Sequence, residues 1–428
     1  EFEDPDNLGN TIRSANGIVA RSGTGQIDIG AGDIYTTGTG IDAHSEGGFV
    51  KIRTNGVVAA GDTGIKIDND GTFDSYVYTE AAVTASTGAG ISIDNTAGTR
   101  STYVSANSDI TGQTNGIEIN EIGRSGGGGN AVYVNGTNSS VIGQTADGIK
   151  ITSTASDASV TVSRTTNTGG NVSGAEYGIN ISTAGNGGVV VEALNSVSGG
   201  TESGIHTQTQ GGAITIYNVT SVTSQYGTAI RADTREYQGP NTFSGGANIY
   251  IQNVGIPEFE DPDNLGNTIR SANGILANSG TGSINIGAAD PDNGSEIKNI
   301  FTLGTGIAAN SEGGPVDIAL FGQIDAGDTG IDVSQNGDQA VTIALTDTAS
   351  SVTGTSSDGI KIANSSSGAT ILVEGYVYQG GPMVYGTVSG GTYGMDLSTA
   401  GSAITVRTLA AVAGDTGDGI RAQSQGGA

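Results

Sequence analysis

The sequence predicts an all-β chain folded as a parallel β-helix solenoid, with three short strands per turn and about 23–32 residues per turn. Three observations support this. The dipeptide Gly-Ile recurs at a nearly regular interval. Each interval holds three apolar clusters parted by corner residues. A long phrase from the start of the chain returns unchanged in its middle.

The Gly-Ile mark falls at Ile18, Ile41, Ile65, Ile91, Ile117, Ile149, Ile179, Ile205, Ile275, Ile307, Ile331, Ile360 and Ile420. Ala229–Ile230 and Gly394–Met395 fill two vacant places in the series. A period in this range marks a solenoid, in which each repeat is one supersecondary turn stacked on the next.

Within a turn the clusters follow one order. In "GIKITSTASDASVTVS" (148–163), Ile149 and Ile151 alternate as a half-buried strand does. Val160 and Val162 form the second cluster and Val172 the third, before Gly178–Ile179 restarts the cycle. "GINIS", "GVVVEA" and "NSVSG" repeat the order, as do "GIHTQ", "AITIY" and "TSVTS". Inward Ile, Val and Ala are expected to stack turn on turn, with Asp, Lys, Thr and Asn facing outward. Gly, Asn and Ser suit the corners because they tolerate tight backbone turns. An antiparallel sandwich would not need one Gly-Ile mark for every three strands.

Composition agrees. Gly accounts for 74 of 428 residues, there is no Trp or Cys, and Leu, Lys and Arg are scarce, so helical runs are hard to find. Val and Ile at regular places separate the chain from a disordered Gly/Ser linker. Sixteen basic against 43 acidic residues give a net charge of −27. Nucleic acid and anionic membrane are therefore poor partners, while cations are attracted. No apolar run reaches the length of a membrane span. Without cysteine, stability cannot come from disulfides.

The phrase "EFEDPDNLGNTIRSANGI" opens the chain at Glu1 and recurs at Glu258. Between Ile230 and Ile275 the Gly-Ile spacing stretches to 45 residues, and "PEFEDPDNLGNTIRSA" reads as the excess, inserted between one turn and the next. The chain thus divides into residues 1–257, beginning with an acidic insertion at 1–15, and residues 258–428. The second copy matches the first turn by turn: "GDTGI" at 61–65 returns at 327–331, and "YGINISTAG" at 177–185 as "YGMDLSTAG" at 393–401. The turns marked by Ile91 and Ile117 have no counterpart in the second copy, as a stack of nearest-neighbour units permits. One continuous rod of roughly 70–80 Å is expected at ~4.8 Å per turn. The last residues, "GIRAQSQGGA", correspond to a mid-turn point of the first copy, so further repeats are expected beyond Ala428.

The cadence of "ITVRTLAAVAGDTGDGIRAQSQGGA" (404–428) resembles the β-helical passenger regions of bacterial autotransporters and filamentous-haemagglutinin-type adhesins. The resemblance covers nearly the whole chain and rests on cadence and composition. It implies a right-handed β-helix, secretion, and a place at or beyond the bacterial cell surface. No signal-peptide pattern and no C-terminal barrel accompany it, as fits a mature or internal segment.

No catalytic residues are assigned. On the first strand, the position after each anchoring residue reads Asp42, Lys66, Ser92, Glu118, Lys150, Asn180, His206 and Arg231, then Asp332, Lys361, Asp396 and Arg421 in the second copy. Mostly alternating signs suit a cross-strand charge ladder better than the paired carboxylates of glycoside hydrolysis. His44 and His206 have no nucleophile motif beside them and are read as surface residues. Tyr76, Tyr78, Tyr103 and Tyr133 fall on consecutive turns of one face, a stripe that could receive a glycan or a receptor, or simply brace its strands. The acidic turns suggest calcium: Asp68 and Asp70, and in the repeated phrase Glu3, Asp4, Asp6, Glu258, Glu260, Asp261 and Asp263. No other cofactor is expected. The leading reading is an extracellular structural solenoid, part of a filament that continues end to end and self-associates laterally. An adhesin using the tyrosine stripe is the alternative, and a polysaccharide-degrading β-helix enzyme comes third.

Overall fold

The computed structural model describes residues 2–3, 11–96, 101–122, 129–136, 139–154, 159–165, 170–234, 236–237, 243–244, 246–261, 267–287, 297–347, 349–375, 386–401, 403–407 and 409–425. The chain divides into two compact units, Glu1–Gly200 and Thr201–Ala428. Both are parallel β-solenoids with three strands per turn, as the period predicts. The second copy of the repeated phrase begins inside the second unit.

In the first unit the first strands are Ile18–Ser22, Ile41–Ser45, Ile65–Asn69, Ile91–Asn95, Ile117–Glu121, Ile149–Ser153 and Ile179–Thr183. Second strands such as Ser75–Thr79 and Thr102–Ala106, and third strands such as Val83–Ala85 and Ile110–Gly112, complete the turns. Pairing is parallel and in phase: Ile91 lies between Ile65 and Ile117. Each anchoring isoleucine therefore stacks on the same residue type, and Ile41, Ile65, Ile91, Ile117, Ile149 and Ile179 are all fully buried. Burying a side chain of this size contributes roughly 1.5–3 kcal/mol.

In the second unit the first strands run from Ile205–Thr209 through Asn273–Ser279 to Ile420–Ser424. Third strands include Ile300–Thr302, Gln323–Ala326 and Ser351–Gly354. The long interval before Ile275 has two causes, not the single one expected. Besides the repeated phrase, a separate excursion after Thr228–Asp233 contains the antiparallel pair Glu236–Tyr237 and Phe243–Ser244. The chain then re-enters the second-strand sheet at Ile249–Val254.

The repeated phrase folds the same way twice. Phe2 pairs with Ile12 and Glu3 with Thr11; Phe259 pairs with Ile269 and Glu260 with Thr268. Both are antiparallel hairpins standing outside the parallel coil. Their exits are also alike. Ser14 bridges Thr36 and Ser271 bridges Thr302. Asn16 Oδ1 accepts the Thr39 amide at 3.2 Å, and Asn273 Oδ1 accepts the Thr305 amide at 3.0 Å. The Arg13 guanidinium lies 5.8 Å from the Tyr35 ring centroid, and that of Arg270 lies 5.5 Å from the Phe301 centroid. Arg270 also reaches Glu258 Oε1 and Asp325 Oδ2, each at 2.8 Å. The second half of the phrase recurs without change because each of these residues meets an equivalent partner on the neighbouring turn.

The glycine of the Gly-Ile mark has a steric cause. A Cβ on Gly40 would stand 2.5 Å from the Gly64 carbonyl oxygen and 2.5 Å from Val58 Cγ1. Gly64 meets Gly90 O and Val83 Cγ1 in the same way, and in the second unit Gly330 meets Gly359 O and Val352 Cγ1. These separations lie well inside van der Waals contact. A file of glycines therefore lets the corner carbonyl of one turn sit beneath the next.

One inward position departs from the expected apolar stack. The fifth residue of each first strand points inward, yet it is polar: Ser45, Asn69, Asn95, Glu121, Ser153 and Thr183 in the first unit, all buried. In several turns this residue closes the corner to the second strand, whereas Ser153 Oγ donates to Glu121 and Thr183 Oγ1 has no hydrogen-bond partner. Ser45 Oγ donates to Gly48 O and accepts the Gly48 amide, each at 2.9 Å. Ser279 and Ser311 reach Gly282 O and Gly314 O at 2.9 and 2.8 Å. Where the corner is longer, a longer side chain spans it: Asn69 binds Phe73 O and Ser75 Oγ. Buried backbone groups at a sharp corner need such partners.

Gly64→Ala is expected to destabilise the chain by about 1–3 kcal/mol through overpacking against the next turn. Gly23→Ala, whose Cβ meets only Glu46 Oε2 at 3.8 Å, should change stability by no more than about 0.5 kcal/mol. Urea titration of both variants checks this.

Candidate functional site

On the second strands of the first unit, alternate side chains face outward in two rows. One row runs Asp28, Lys51, Tyr76, Tyr103; the other runs Gly30, Arg53, Tyr78, Ser105, Tyr133. All four tyrosines named from the sequence therefore share one face, on three successive turns. Their rings form a zigzag, with centroids 6.4 Å apart for Tyr76–Tyr78, 5.4 Å for Tyr78–Tyr103 and 5.1 Å for Tyr103–Tyr133. Such spacings contribute about 0.5–1.5 kcal/mol per pair beyond area burial. The Tyr76 hydroxyl donates to Asp74 Oδ2 at 2.5 Å, and this bond, aided by burial, pushes its pKa up to about 12. Burial and its neighbours Tyr78 and Tyr133 raise Tyr103 as well.

Sequence reading did not single out Arg53, which lies over the Tyr78 ring at 5.6 Å from its centroid. Beside the pair is a cleft of about 770 Å³ bordered by Gly30, Gly32, Asn55, Glu80 and Asn107. A second cleft, about 360 Å³, lies on the other side of Tyr78 against Lys51, Phe73 and Tyr76. The signal was available: "VKIRT" carries two cations at outward positions next to "SYVYT".

The first-strand charge row is an ion-pair ladder in part. Glu118 meets Lys150 at 3.3 Å and Asp332 meets Lys361 at 3.7 Å. Asp396 pairs with Arg421. Asp42 and Lys66, though adjacent, choose other partners: Arg21 binds Asp42 at 3.0 Å and Lys66 binds Asp68 at 2.9 Å. Exposed pairs of this kind contribute up to about 1 kcal/mol each.

The calcium candidates do not converge where they are described. Asp68 holds Lys66, Asp70 accepts from the Thr96 hydroxyl, and Glu258 holds Arg270. Glu260 and Asp261 lie on or next to the hairpin strand Phe259–Glu260. Among the described residues no three carboxylates or imidazoles are grouped to hold a metal ion. Asp4, Asp6, Asp263 and the Glu3 side chain lie outside the described residues.

Several acids have structural work at the corners. Asp33 Oδ1 accepts the Val57 amide at 2.8 Å, Asp74 Oδ1 that of Ser101 at 2.9 Å, and Asp358 Oδ1 that of Tyr393 at 3.1 Å. Each is a staple from one turn to the next. His206 lies beside Arg231 in register; burial first, and Arg231 second, lower its pKa to about 4. It is therefore a neutral, half-buried residue at an outward position of its strand.

Compared with protein-family models, curated proteins and solved structures, the chain matches none of them.

Among the described residues of the first unit Glu121 is the most deeply enclosed acid, at 2 % exposure. Its Oε2 accepts from Asn130 Nδ2 at 2.8 Å and Ser153 Oγ at 3.0 Å, but burial outweighs both bonds and raises its pKa. Asn130 Oδ1, also buried, has no partner. A raised folded-state pKa means that stability is fully present below the unfolded value and is lost as pH rises through the folded one. Glu121→Gln is therefore expected to raise the melting temperature more at pH 8 than at pH 4, as thermal melts at the two pH values would show.

Proposed function

We propose that the chain is a structural segment of an extracellular bacterial filament, a solenoid spacer without catalytic activity that continues end to end and associates with its own copies. The observation that supports this best is the repeated phrase. Two copies, 257 residues apart in sequence, form the same hairpin with the same amide, bridge and cation–π contacts to the following turn. A module that restarts with the same joint suits a polymer of turns. Outward charges largely engaged in corner staples and ion pairs also suit a scaffold. Placement at the cell surface rests on the cadence shared with autotransporter and filamentous-haemagglutinin-type passengers.

Lateral association is assigned to the acidic half of the repeated phrase, with calcium as the bridging ion. Electron microscopy of the purified chain, with and without a chelator, tests both parts. Uniform fibres that fray on chelation are expected. Discrete particles in both conditions would overturn the self-association, and fibres indifferent to chelator would remove calcium from it.

A further inference from the structure

Beyond the structural role, we infer that the first unit carries a binding site for an acidic oligosaccharide, one whose sugars bear carboxylates, in the cleft beside Arg53 and Tyr78.

Several observations converge on that cleft. It is roomy, about 770 Å³, because two glycines leave its floor open: a Cβ on Gly30 or Gly32 would touch nothing within 4 Å. Gly30 lies directly beside Arg53 in the sheet, so the vacant row position adjoins the guanidinium. Tyr78, whose ring Arg53 overlies and which packs at a tilt on Tyr103, borders the same space. A pyranose ring laid against Tyr78 would put its C–H face on the aromatic surface and its carboxylate within reach of Arg53. Arg is suited to hold a carboxylate through two parallel hydrogen bonds. Asn55, Asn107 and Glu80 border the same space and supply donors and acceptors for hydroxyl groups.

Charge selects the acidic sugar over a neutral one. Among the described residues Arg21, Lys66, Lys150, Arg270, Lys361, Arg407 and Arg421 all hold a carboxylate. Lys51, Arg53, Arg231 and Lys298 hold none; of these only Lys51 and Arg53 lie two residues apart on one strand and on one face, and the only charged group bordering the larger cleft besides Arg53 is Glu80. Two such cations side by side on one face, in a chain with 43 acidic residues to choose from, mark a place where an external anion is accommodated. Lys51 borders the smaller cleft across Tyr78, where the Asp74 carboxylate is engaged by the Tyr76 hydroxyl and the Ser101 amide, so a chain of several sugars passing over the tyrosine would meet both cations. Nucleic acid is a poorer fit, because its phosphate density would meet a net charge of −27 with only two cations to offset it.

The test is isothermal titration of the whole chain, in EDTA to exclude calcium bridging. The probes are a galacturonate hexamer, a hyaluronan hexasaccharide, the methyl-esterified galacturonate hexamer and poly-glutamate. Binding of at least one uronate probe is expected, weakened about tenfold or more by Arg53→Gln, by Tyr78→Ala and by esterification. Lys298→Gln, in the second unit, should leave it unchanged. Absence of binding by both uronate probes would overturn the proposal. So would binding that Arg53→Gln leaves intact, or equal binding of poly-glutamate, which would show a site reading charge without sugar. Thermal melts accompany each variant; should Tyr78→Ala unfold the unit, Arg53→Gln and the ester comparison decide alone.

Discussion

The spacing between successive turns governs this molecule. Parallel strands lie ~4.8 Å apart, and at the corner before each anchoring isoleucine the backbone of one turn meets the backbone of the next. No side chain fits there, as the Gly40–Gly64 and Gly64–Gly90 contacts show. Once the glycine corners nest, the register of every strand that follows is set. Isoleucines fall on isoleucines, and the amides of each turn meet the carbonyls of its neighbour. Ala229, the one departure before an anchoring isoleucine, occurs at the turn that carries both excursions.

The same spacing explains the unusual composition. A narrow coil has three sharp corners in every turn, and each leaves backbone amides in need of acceptors. Asp and Asn answer that need by reaching across to the next turn, as Asp33, Asp74, Asn115 and Asp147 do. A share of the acidic surplus is thus the cost of corners and not a sign of metal chemistry. At several turns the buried polar residue that ends the first strand serves the same end from inside, as Ser45, Asn69, Ser279 and Ser311 do.

The repeating part of the fold was legible because its signal is periodic. Gly-Ile, three apolar clusters and polar corners recur often enough to define strand order and register. Less legible were features that depend on contacts between distant residues. The polar fifth position resembles an outward residue in composition, and only its parity with Ile149 and Ile151 betrays it. The hairpin in the repeated phrase needed Arg270 to find Phe301 and Asp325, which no local pattern announces. The excursion at Glu236–Tyr237 was hidden because the repeated phrase already accounted for a long interval. The tyrosine face is legible from alternation alone; Arg53 is less so, because most outward cations of this chain, such as Lys150, Lys361 and Arg421, simply pair with a neighbouring carboxylate.

A scaffold whose faces are mostly self-satisfied makes its few unsatisfied places conspicuous, and the cleft beside Arg53 is such a place. All of it presupposes turns stacked in phase, and the cysteine-free chain allows that to be tested directly. Asn120 and Thr152 are neighbours in register on adjacent first strands, whereas Asn120 and Lys150 are offset by two residues. In-register neighbours lie ~4.8 Å apart, inside the span a disulfide bridges, while diagonal ones lie at about 7–8 Å, beyond it. Mild oxidation of the double variants Asn120→Cys/Thr152→Cys and Asn120→Cys/Lys150→Cys is therefore the decisive measurement. Rapid bridge formation in the first and none in the second is the predicted result; bridging in the second alone, or in neither, would contradict the stacked register.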